Sequence, residues 1–234
     1  MRIGVDTGGT FTDLVLLDNE QVRVHKVRST PHDPSRAILT GIRELAGEAG
    51  ADDVVHGSTV ATNAVLERRG ARVALVATAG FEDVLRIGRQ TRRELYNFMV
   101  EDRRPLVEDG LTFGLRERLA YDGSVVEPLD DAAIDALVAA LEGRGVDAVA
   151  VCLLHSYVNP AHEQRVAARL AEAGFVVSAS HAVLPEYREF ERWSTTVVNA
   201  YVTPLMARYL SALEAELGTQ LLLRSRQGVV LTPS

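Results

Sequence analysis

The chain has 234 residues, of which 47% are hydrophobic and 24% are charged, and its formal net charge is −7. This composition is that of an ordinary globular protein with enough chain to bury a hydrophobic core. An acidic chain is a poor candidate for non-specific nucleic acid binding, because phosphate contacts need a basic surface. No apolar run is long enough to span a bilayer, and no signal-peptide core follows Met1. We therefore expect a cytoplasmic protein with neither nucleic acid nor membrane as a partner.

A single cysteine, Cys152, limits the redox and metal chemistry of the chain. One cysteine forms no internal disulfide and no multi-thiolate metal site within the chain. Cys152 lies in the apolar run 149–154, where a small buried hydrophobe is the simpler interpretation and a catalytic thiol is the alternative.

The first part of the chain predicts a β-meander followed by β-α-β units. Its three opening strands are expected at 3–6, 11–17 and 22–27. A helix then begins near Asp33 and Pro34 and ends at Gly50. Strand 54–56, helix 59–69, strand 72–78 and a short helix at 81–85 follow. This order predicts a mixed sheet with helices on its faces.

A further α/β segment follows a long, polar, arginine-rich stretch at 88–109, which is either functional or mobile. Asp122-Gly123 predicts a hairpin, and Asp130 is positioned to cap a helix that runs to Leu141. The remaining elements are expected at 147–154 (strand), 160–173 (helix), 175–178 (strand) and 193–217 (a long helix). The predicted fold class is therefore α/β, with a meander-led mixed sheet, more α/β structure and a long helix.

The segment Gly4-Val5-Asp6-Thr7-Gly8-Gly9-Thr10-Phe11-Thr12-Asp13 joins two strands through a tight turn. Gly8 and Gly9 allow the backbone to approach an anion closely, and the hydroxyls of Thr10 and Thr12 are possible donors. Asp6, at a strand end, is a possible Mg²⁺ ligand, because a carboxylate beside a phosphate needs a cation between them. The alternative is a glycine-rich hairpin without a ligand.

This segment resembles the first phosphate loop of the actin, sugar-kinase and heat-shock chaperone ATPase superfamily. In that fold two ribonuclease H-like domains face each other, and each contributes a strand-turn-strand loop to the ATP phosphates. The resemblance implies that this chain opens with a ribonuclease H-like mixed sheet.

Four further blocks resemble the hydantoinase/oxoprolinase family, in the order that the family shows. They are 56–64 (HGSTVATNA), 80–90 (GFEDVL with IGRQ), 153–163 (LLHSYVNP with HE) and 185–196 (PEYREFER with STT). The family includes oxoprolinases, N-methylhydantoinases (hydantoinase A) and an acetone carboxylase subunit. Membership implies an ATP-dependent hydrolase that opens cyclic amides, such as hydantoins or 5-oxoproline, by phosphorylating the amide oxygen.

The resemblance implies a role for each residue of the phosphate loop. Asp6 would bind the metal, and Asp13 would either order the loop or assist the metal. Asp6, Thr10 and His56 are the candidates for catalysis. The expected contacts to ATP come from Thr7, Gly8, Gly9, Thr10, Phe11, Thr12 and Asp13.

Two other groups of residues are candidates for binding the substrate or a phosphate. Gly57, Ser58 and Thr59 would present N–H groups and hydroxyls at the start of a helix, with Asn63 one turn later. The simpler interpretation is that Ser58 or Thr59 caps the helix. Arg89 and Gln90 form the second group, and a solvated arginine surface is the alternative there. His56 is either a donor to substrate or a packed residue behind the site.

Members of the family are typically longer and carry a second copy of the phosphate loop, whereas this sequence has one copy, at 6–13. We therefore expect an N-terminal ribonuclease H-like domain over 1–180, and the start of a hydantoinase A second module over 181–234. A partner module or subunit would complete the protein, and the apolar face that it would cover would otherwise favour self-association. The alternative function is a non-catalytic nucleotide-binding or assembly module, or a truncated product that needs a partner chain.

Overall fold

The computed structural model describes residues 1–18, 21–30, 34–47, 53–91, 96, 105–217, 222–225 and 228–231. The chain forms two compact units. Unit 1 comprises Met1–Arg69 and Leu205–Ser234, and unit 2 comprises Gly70–Pro204. The boundary expected from the sequence, after residue 180, falls inside unit 2.

Unit 1 is built on a four-stranded mixed sheet. Its elements are β1 (Arg2–Thr7), β2 (Phe11–Asp18), β3 (Gln21–Arg28), α1 (Pro34–Ala46), β4 (Asp53–Ser58) and α2 (Val60–Leu66). The strand order is β3-β2-β1-β4, in which β1 pairs antiparallel with β2 and parallel with β4. The parallel pair brings the carboxyl ends of β1 and β4 together, at Thr7 and Ser58.

One face of this sheet packs on α1, and strand alternation decides which side chains take part. The buried cluster consists of Ile3, Val5, Leu14, Leu16, Ile38, Ile42 and Leu45. The approach is close, because a Cβ built on Gly41 of α1 would overlap the Leu14 side chain. The opposite face of the sheet carries exposed apolar side chains from Val15, Leu17, Val22, Val24 and Val55.

Unit 2 contains a parallel four-stranded sheet in the order β10-β9-β5-β6. Its strands are β5 (Val73–Thr78), β6 (Thr112–Leu115), β9 (Ala148–Cys152) and β10 (Val176–Ala179). Every residue of β5 and β9 is buried, as expected of central parallel strands, which helices cover on both faces. Burial raises the pKa of the Cys152 thiol well above its ordinary value, which supports the buried-hydrophobe interpretation of this cysteine.

The remaining elements of unit 2 connect these strands. They are α3 (Val84–Ile87), β7 (Arg118–Leu119), β8 (Val125–Glu127), α4 (Asp131–Leu141), α5 (Ala161–Glu172) and α6 (Ser180–Val183). The hairpin at Gly123 and the cap of α4 are confirmed, since Asp130 Oδ1 accepts the N–H of Ala132 at 3.1 Å. Helix α7 (Glu189–Leu217) starts four residues before the predicted helix and runs from unit 2 into unit 1. A short hairpin of β11 (Leu222–Ser225) and β12 (Gly228–Leu231) follows.

The α/β class is confirmed, but the strand expected over 72–78 does not join the mixed sheet that opens the chain. The described strands instead form two separate four-stranded sheets and two short hairpins. The helix expected over 59–69 is shorter, at Val60–Leu66. Asp33, Gly50 and most of the arginine-rich stretch lie outside the described residues. Among the described residues, no helix combines the length and apolar character needed to cross a membrane.

Candidate nucleotide site

The turn between β1 and β2 is held in shape by backbone and hydroxyl hydrogen bonds. The N–H of Gly8 donates to the carbonyl of Phe11 at 3.0 Å, and the Ser29 hydroxyl donates to the carbonyl of Gly8 at 2.8 Å. A Cβ at position 8 would lie only 3.1 Å from the Phe11 carbonyl oxygen, so glycine fits this turn without displacing its neighbour. Gly9 and Thr10 form the exposed tip of the turn, where a ligand can approach the backbone.

The two other threonines of the loop face into the protein. Thr12 is fully buried, and its hydroxyl is hydrogen bonded to the Ser29 hydroxyl at 3.0 Å. Thr7 is 3% exposed, and its Oγ1 has no hydrogen bond partner of good geometry in the described part of the chain. The sequence predicts that the Thr12 hydroxyl donates to a phosphate. In the structure this hydroxyl faces the interior and stabilises the loop through its hydrogen bond with Ser29. Thr10 is the loop threonine with an exposed position.

Asp6 and Asp13 are direct neighbours across β1 and β2, on the open face of the sheet. Asp13 forms an ion pair with Lys26 of β3 at 2.8 Å, and the Lys26 ammonium also lies 5.3 Å from the centre of the Phe11 ring. Paired carboxylates on adjacent strands repel each other, so a cation beside them is stabilising. Lys26 provides part of that positive charge, and Asp6 remains exposed next to the loop.

The turn from β4 into α2 lies against the end of β1. Both the N–H and the hydroxyl of Thr59 donate to the Thr7 carbonyl, at 3.3 Å and 3.2 Å. Asn63 donates to the Thr59 hydroxyl at 3.3 Å, and a Cβ on Gly9 would lie 3.8 Å from the Asn63 amide nitrogen. A Cβ on Gly57 would lie 3.5 Å from Asp6 Oδ1. The structure therefore brings this block together with the phosphate loop.

The interpretation of Ser58 or Thr59 as the cap of α2 is correct for the Ser58 side chain alone. The Ser58 hydroxyl accepts the N–H of Val60 at 3.2 Å, which satisfies one donor of the first turn of α2. Thr59 occupies the N-cap position, but its side chain makes no capping hydrogen bond and binds the Thr7 carbonyl instead. Thr59 thus ties two strand ends together.

His56 is half-buried at the back of the site, and its Nε2 is hydrogen bonded to the hydroxyl of Tyr209 on α7. The two ring centres are 5.8 Å apart. Burial lowers the pKa of His56, while the backbone carbonyl of Val5 as an acceptor and the charge of Asp6 act in the opposite direction. Burial likewise raises the pKa of Tyr209, and the Ser58 and Thr7 side chains partly offset that rise. Burial therefore favours the neutral form of both side chains beside the loop.

Sequence reasoning did not identify Tyr209 as part of the site. Tyr209 lies within the long helix expected over 193–217, and it is 7% exposed. A buried tyrosine hydroxyl needs a hydrogen bond partner, so the sequence indicates that such a partner exists. The identity of the partner, 153 residues away, depends on α7 returning to unit 1.

Arg89 and Gln90 belong to unit 2 and lie together with the 185–196 block. Arg89 forms an ion pair with Glu191 at 2.7 Å, and its guanidinium lies 5.9 Å from the centre of the Phe190 ring. Gln90 adopts a left-handed backbone conformation, with φ of 54°. Arg89 is 62% exposed, so the ion pair contributes little to stability.

Comparison with known proteins places this arrangement in a family. The sequence model of the hydantoinase/oxoprolinase N-terminal region matches residues 2–174. The chain is 40% identical to caprolactamase subunit alpha of Pseudomonas jessenii, over 94% of this chain and 34% of that protein. It is 37% identical to the acetophenone carboxylase gamma subunit of Aromatoleum aromaticum, over 90% of this chain and 32% of that protein.

A plant enzyme and a crystal structure are also similar to this chain over most of its length. The chain is 34% identical to 5-oxoprolinase 1 of Arabidopsis thaliana, over 90% of this chain and 19% of that protein. The crystal structure of the ATP-dependent caprolactamase from Pseudomonas jessenii superimposes with a TM-score of 0.81, over 94% of this chain and 34% of that chain. The chain thus spans about a third or less of the length of these relatives. It belongs to the hydantoinase/oxoprolinase family and corresponds to the family's N-terminal region.

Proposed function

We propose that this chain is the N-terminal nucleotide-binding part of an ATP-dependent hydrolase that opens cyclic amides. Unit 1 would be a ribonuclease H-like domain, and its β1–β2 turn would bind the ATP phosphates. The observation that carries the proposal is the exposed Gly9-Thr10 tip, which lies next to the Asp6 carboxylate at the end of two parallel strands. Ligands of open α/β sheets bind outside such strand ends.

The residues around Asp6 fit a nucleotide-bound Mg²⁺. Among the described residues, no group of three or more histidine, cysteine, aspartate or glutamate side chains is arranged to hold a metal. Nucleotide-bound Mg²⁺ needs only one or two protein carboxylates, because phosphates and waters complete its shell. Asp6, with Asp13 beside it, supplies that set, whereas Thr10 and the backbone of the tip would face the phosphates. Bound Mg²⁺ would neutralise the charge that develops on the transferred phosphoryl group.

The chemistry follows from the poor leaving ability of an amide oxygen. When bound, ATP would transfer its γ-phosphoryl group to that oxygen and leave as ADP. Water would then add to the activated carbon, the C–N bond would break with the ring nitrogen leaving as an amine, and a second water would hydrolyse the resulting acyl phosphate to carboxylate and phosphate. The part played by this chain would be positioning, by the loop, Asn63 and Thr59, with His56 packed behind them. The names of the caprolactamase and the oxoprolinase support a cyclic amide as the substrate class.

A partner module or subunit is part of the proposal. The sequence contains one copy of the phosphate loop, and the relatives are about three times longer or more. Several of them are named as subunits. The same observation supports the second candidate, a nucleotide-binding or assembly module that performs no catalysis by itself.

Calorimetric titration of the purified chain with Mg-ATP tests the proposal. We expect saturable binding, which Asp6→Asn weakens by about tenfold or more, because a charge-assisted contact is lost without a change in shape. Asp53→Asn is the matched control, since Asp53 lies on the same open face but about 13 Å along the sheet. Removing Mg²⁺ with a chelator should reproduce the effect of Asp6→Asn.

Two outcomes would contradict this proposal. One is a folded wild-type chain without detectable nucleotide binding. The other is equal binding by the Asp6→Asn and Asp53→Asn variants, which would place the nucleotide elsewhere. Binding without any turnover, even after the missing family region is supplied, would favour the non-catalytic module.

A further inference from the structure

A cleft in unit 2 has no part in the nucleotide site described above. It has a volume of about 490 Å³ and is lined by Phe81, Val84, Arg118, Leu154, His155 and Glu189. We propose that this cleft binds the ring of the cyclic amide substrate. This inference rests on the proposed function, because it assigns the site for the molecule that ATP would activate.

The cleft lies at the carboxyl edge of the parallel sheet. Phe81 follows the end of β5 by three residues, and Leu154 follows the end of β9 by two. Parallel α/β sheets place their ligands at this edge, because loops there leave the strand ends uncovered. Three of the four blocks that resemble the family meet here, through Phe81, His155 and Glu189.

Two polar atoms at the cleft are buried without a partner. Arg118 Nη1 and His155 Nδ1 are both shielded from solvent, and neither makes a hydrogen bond with any described residue. The guanidinium of Arg118 stacks 4.6 Å from the centre of the Phe81 ring, which fixes its plane. A buried guanidinium N–H without an acceptor is unfavourable, so a ligand oxygen at this position would be bound tightly.

The backbone at His155 is strained. Its φ is 55°, a left-handed conformation that only a few per cent of residues other than glycine adopt, with asparagine, aspartate and histidine the most frequent among them. The His155 carbonyl accepts the N–H groups of Val158 at 2.9 Å and Asn159 at 3.1 Å, which fixes the turn. Strain of this kind persists where surrounding structure determines it, and it is found most often at functional sites.

A buried network braces the two walls that carry these groups. Glu117, the residue before Arg118, is hydrogen bonded to His162 Nδ1 at 2.7 Å and accepts the hydroxyl of Thr78. Thr78 Oγ1 in turn accepts the N–H of Leu154 at 2.9 Å. The segments on either side of the cleft are therefore joined through fully paired side chains, so the site is formed before a ligand arrives.

The lining matches a cyclic amide in particular. Phe81, Val84 and Leu154 present carbon to the methylene groups of a ring. Arg118 offers a donor to the amide oxygen, and the Glu189 carboxylate offers an acceptor to the amide N–H. A simple carboxylate ligand would be repelled by Glu189, and a ketone would leave it without a donor. Glu189 also lies in the first turn of α7, where a carboxylate stabilises a helix without any ligand, so the test below separates these roles.

NMR titration of the ¹⁵N-labelled chain with ε-caprolactam tests the proposal. We expect saturable shifts of the Phe81, Leu154 and His155 amides and of the Arg118 side chain. Arg118→Met should weaken the affinity by about tenfold or more. Arg116→Met is the matched control, because Arg116 is 83% exposed, is paired with Glu127 and should leave binding unchanged.

A second lactam tests the same contacts on the wild-type chain, so the result does not depend on whether a variant folds. N-methylcaprolactam has the same ring and carbonyl but no N–H, so it should bind the wild-type chain about tenfold more weakly if Glu189 accepts that proton. Equal affinities for the two lactams, shifts that map outside the cleft, or no shifts at all would overturn the inference.

Titrating the same samples with Mg-ATP separates the two proposals. Nucleotide binding that depends on Asp6, without lactam binding at the cleft, would overturn the cleft assignment and leave the nucleotide proposal intact. Lactam binding that depends on Arg118, without nucleotide binding, would support the cleft and contradict the phosphorylating function. Neither result depends on catalytic turnover.

Discussion

The two sheets of this protein bury their side chains in different ways. In unit 2, β5 and β9 are buried along their whole length, whereas the described residues of unit 1 pack one face of the sheet, against α1. The opposite face exposes valines and a leucine, including Val24 at 70% and Val22 at 61%. Parallel sheets are normally covered on both faces, whereas antiparallel strands tolerate one solvated face. Unit 1 has both kinds of pairing and, among its described residues, one packed face.

The two units also differ in whether their functional and charged side chains are exposed or buried. Unit 1 places Asp6, Asp13 and the loop tip on its open face, where a nucleotide could reach them. The described part of unit 2 holds three buried charged side chains, Glu117, Glu163 and Arg192, in hydrogen-bonded networks. Glu163 there is fully buried and accepts hydrogen bonds from Leu153, Ser180 and His181. We therefore expect unit 2 to be the more stable unit, and unit 1 to be the one whose stability depends most on bound ligand.

Arg192→Met should have the largest effect and should act on unit 2. Arg192 is fully buried and donates to Ser180 Oγ at 3.1 Å, to the Glu186 carbonyl at 2.6 Å and to the Leu153 carbonyl at 3.1 Å. Its loss leaves buried acceptors without donors and should lower the free energy of unfolding by about 3–5 kcal/mol. Urea unfolding followed by the fluorescence of Trp193, the only tryptophan and a fully buried one, measures this in unit 2.

Arg169→Met is the control for that measurement. Arg169 is 53% exposed and pairs with Asp135 and Glu172 at the surface, so its loss should change the unfolding free energy far less than the loss of Arg192 does. Equal shifts for the two arginine variants would show that the buried network contributes no more than surface pairs do.

The two faces of the unit 1 sheet can be compared with one substitution at two positions of the same strand. Leu14 is fully buried against α1, and Leu17 is 47% exposed on the open face. Leu14→Ala should cost about 2–5 kcal/mol through lost burial and the cavity that remains. Leu17→Ala should cost less than about 1 kcal/mol, because about half of that side chain already contacts water.

Amide hydrogen exchange of the β1 and β2 residues measures the stability of unit 1 in the two variants. Tryptophan fluorescence would not, since unit 1 contains no tryptophan. A loss for Leu17→Ala as large as that for Leu14→Ala would mean that the open face is covered in solution. Self-association through that face is the simplest way to cover it, and sedimentation of the same samples would detect it.

Much of the fold follows from local patterns in the sequence. Apolar runs identified β5 and β9, Asp130 identified the start of α4, and Asp122-Gly123 identified the hairpin of β7 and β8. The arrangement of strands into two sheets did not follow, because pairing between β5 and β9 involves residues about seventy positions apart. The order of elements alone is compatible with one sheet or two.

In the candidate site, too, local patterns predict the orientation of side chains, whereas contacts between distant residues do not follow from the sequence. Strand alternation with Ile3, Val5, Leu14 and Leu16 places Thr7 and Thr12 on the buried side and Asp6 and Asp13 on the open side, so the orientation of the threonines could have been predicted. The contact between His56 and Tyr209 could not, because it requires the path of α7 through both units.

The smallest effect concerns the charge of His56. Burial lowers its pKa below the ordinary value, so the unfolded chain takes up a proton first as the pH falls. The contribution of His56 to the stability of unit 1 therefore decreases as the pH falls from about 6.5 towards the folded-state pKa. NMR titration of the imidazole should show a midpoint below that of an ordinary histidine.

Asp6→Asn sharpens this test, because the charge of Asp6 raises the pKa of His56 and its removal should lower the midpoint further. Asp53→Asn, on the same face but about 13 Å from Asp6, should leave the midpoint unchanged. A midpoint that rises in the Asp6→Asn variant would mean that the imidazole is not under the influence of that carboxylate. Since Asp6 is also the proposed Mg²⁺ ligand, nucleotide binding should shift the same resonance. His56 would then report occupancy of the loop without itself contacting the phosphates.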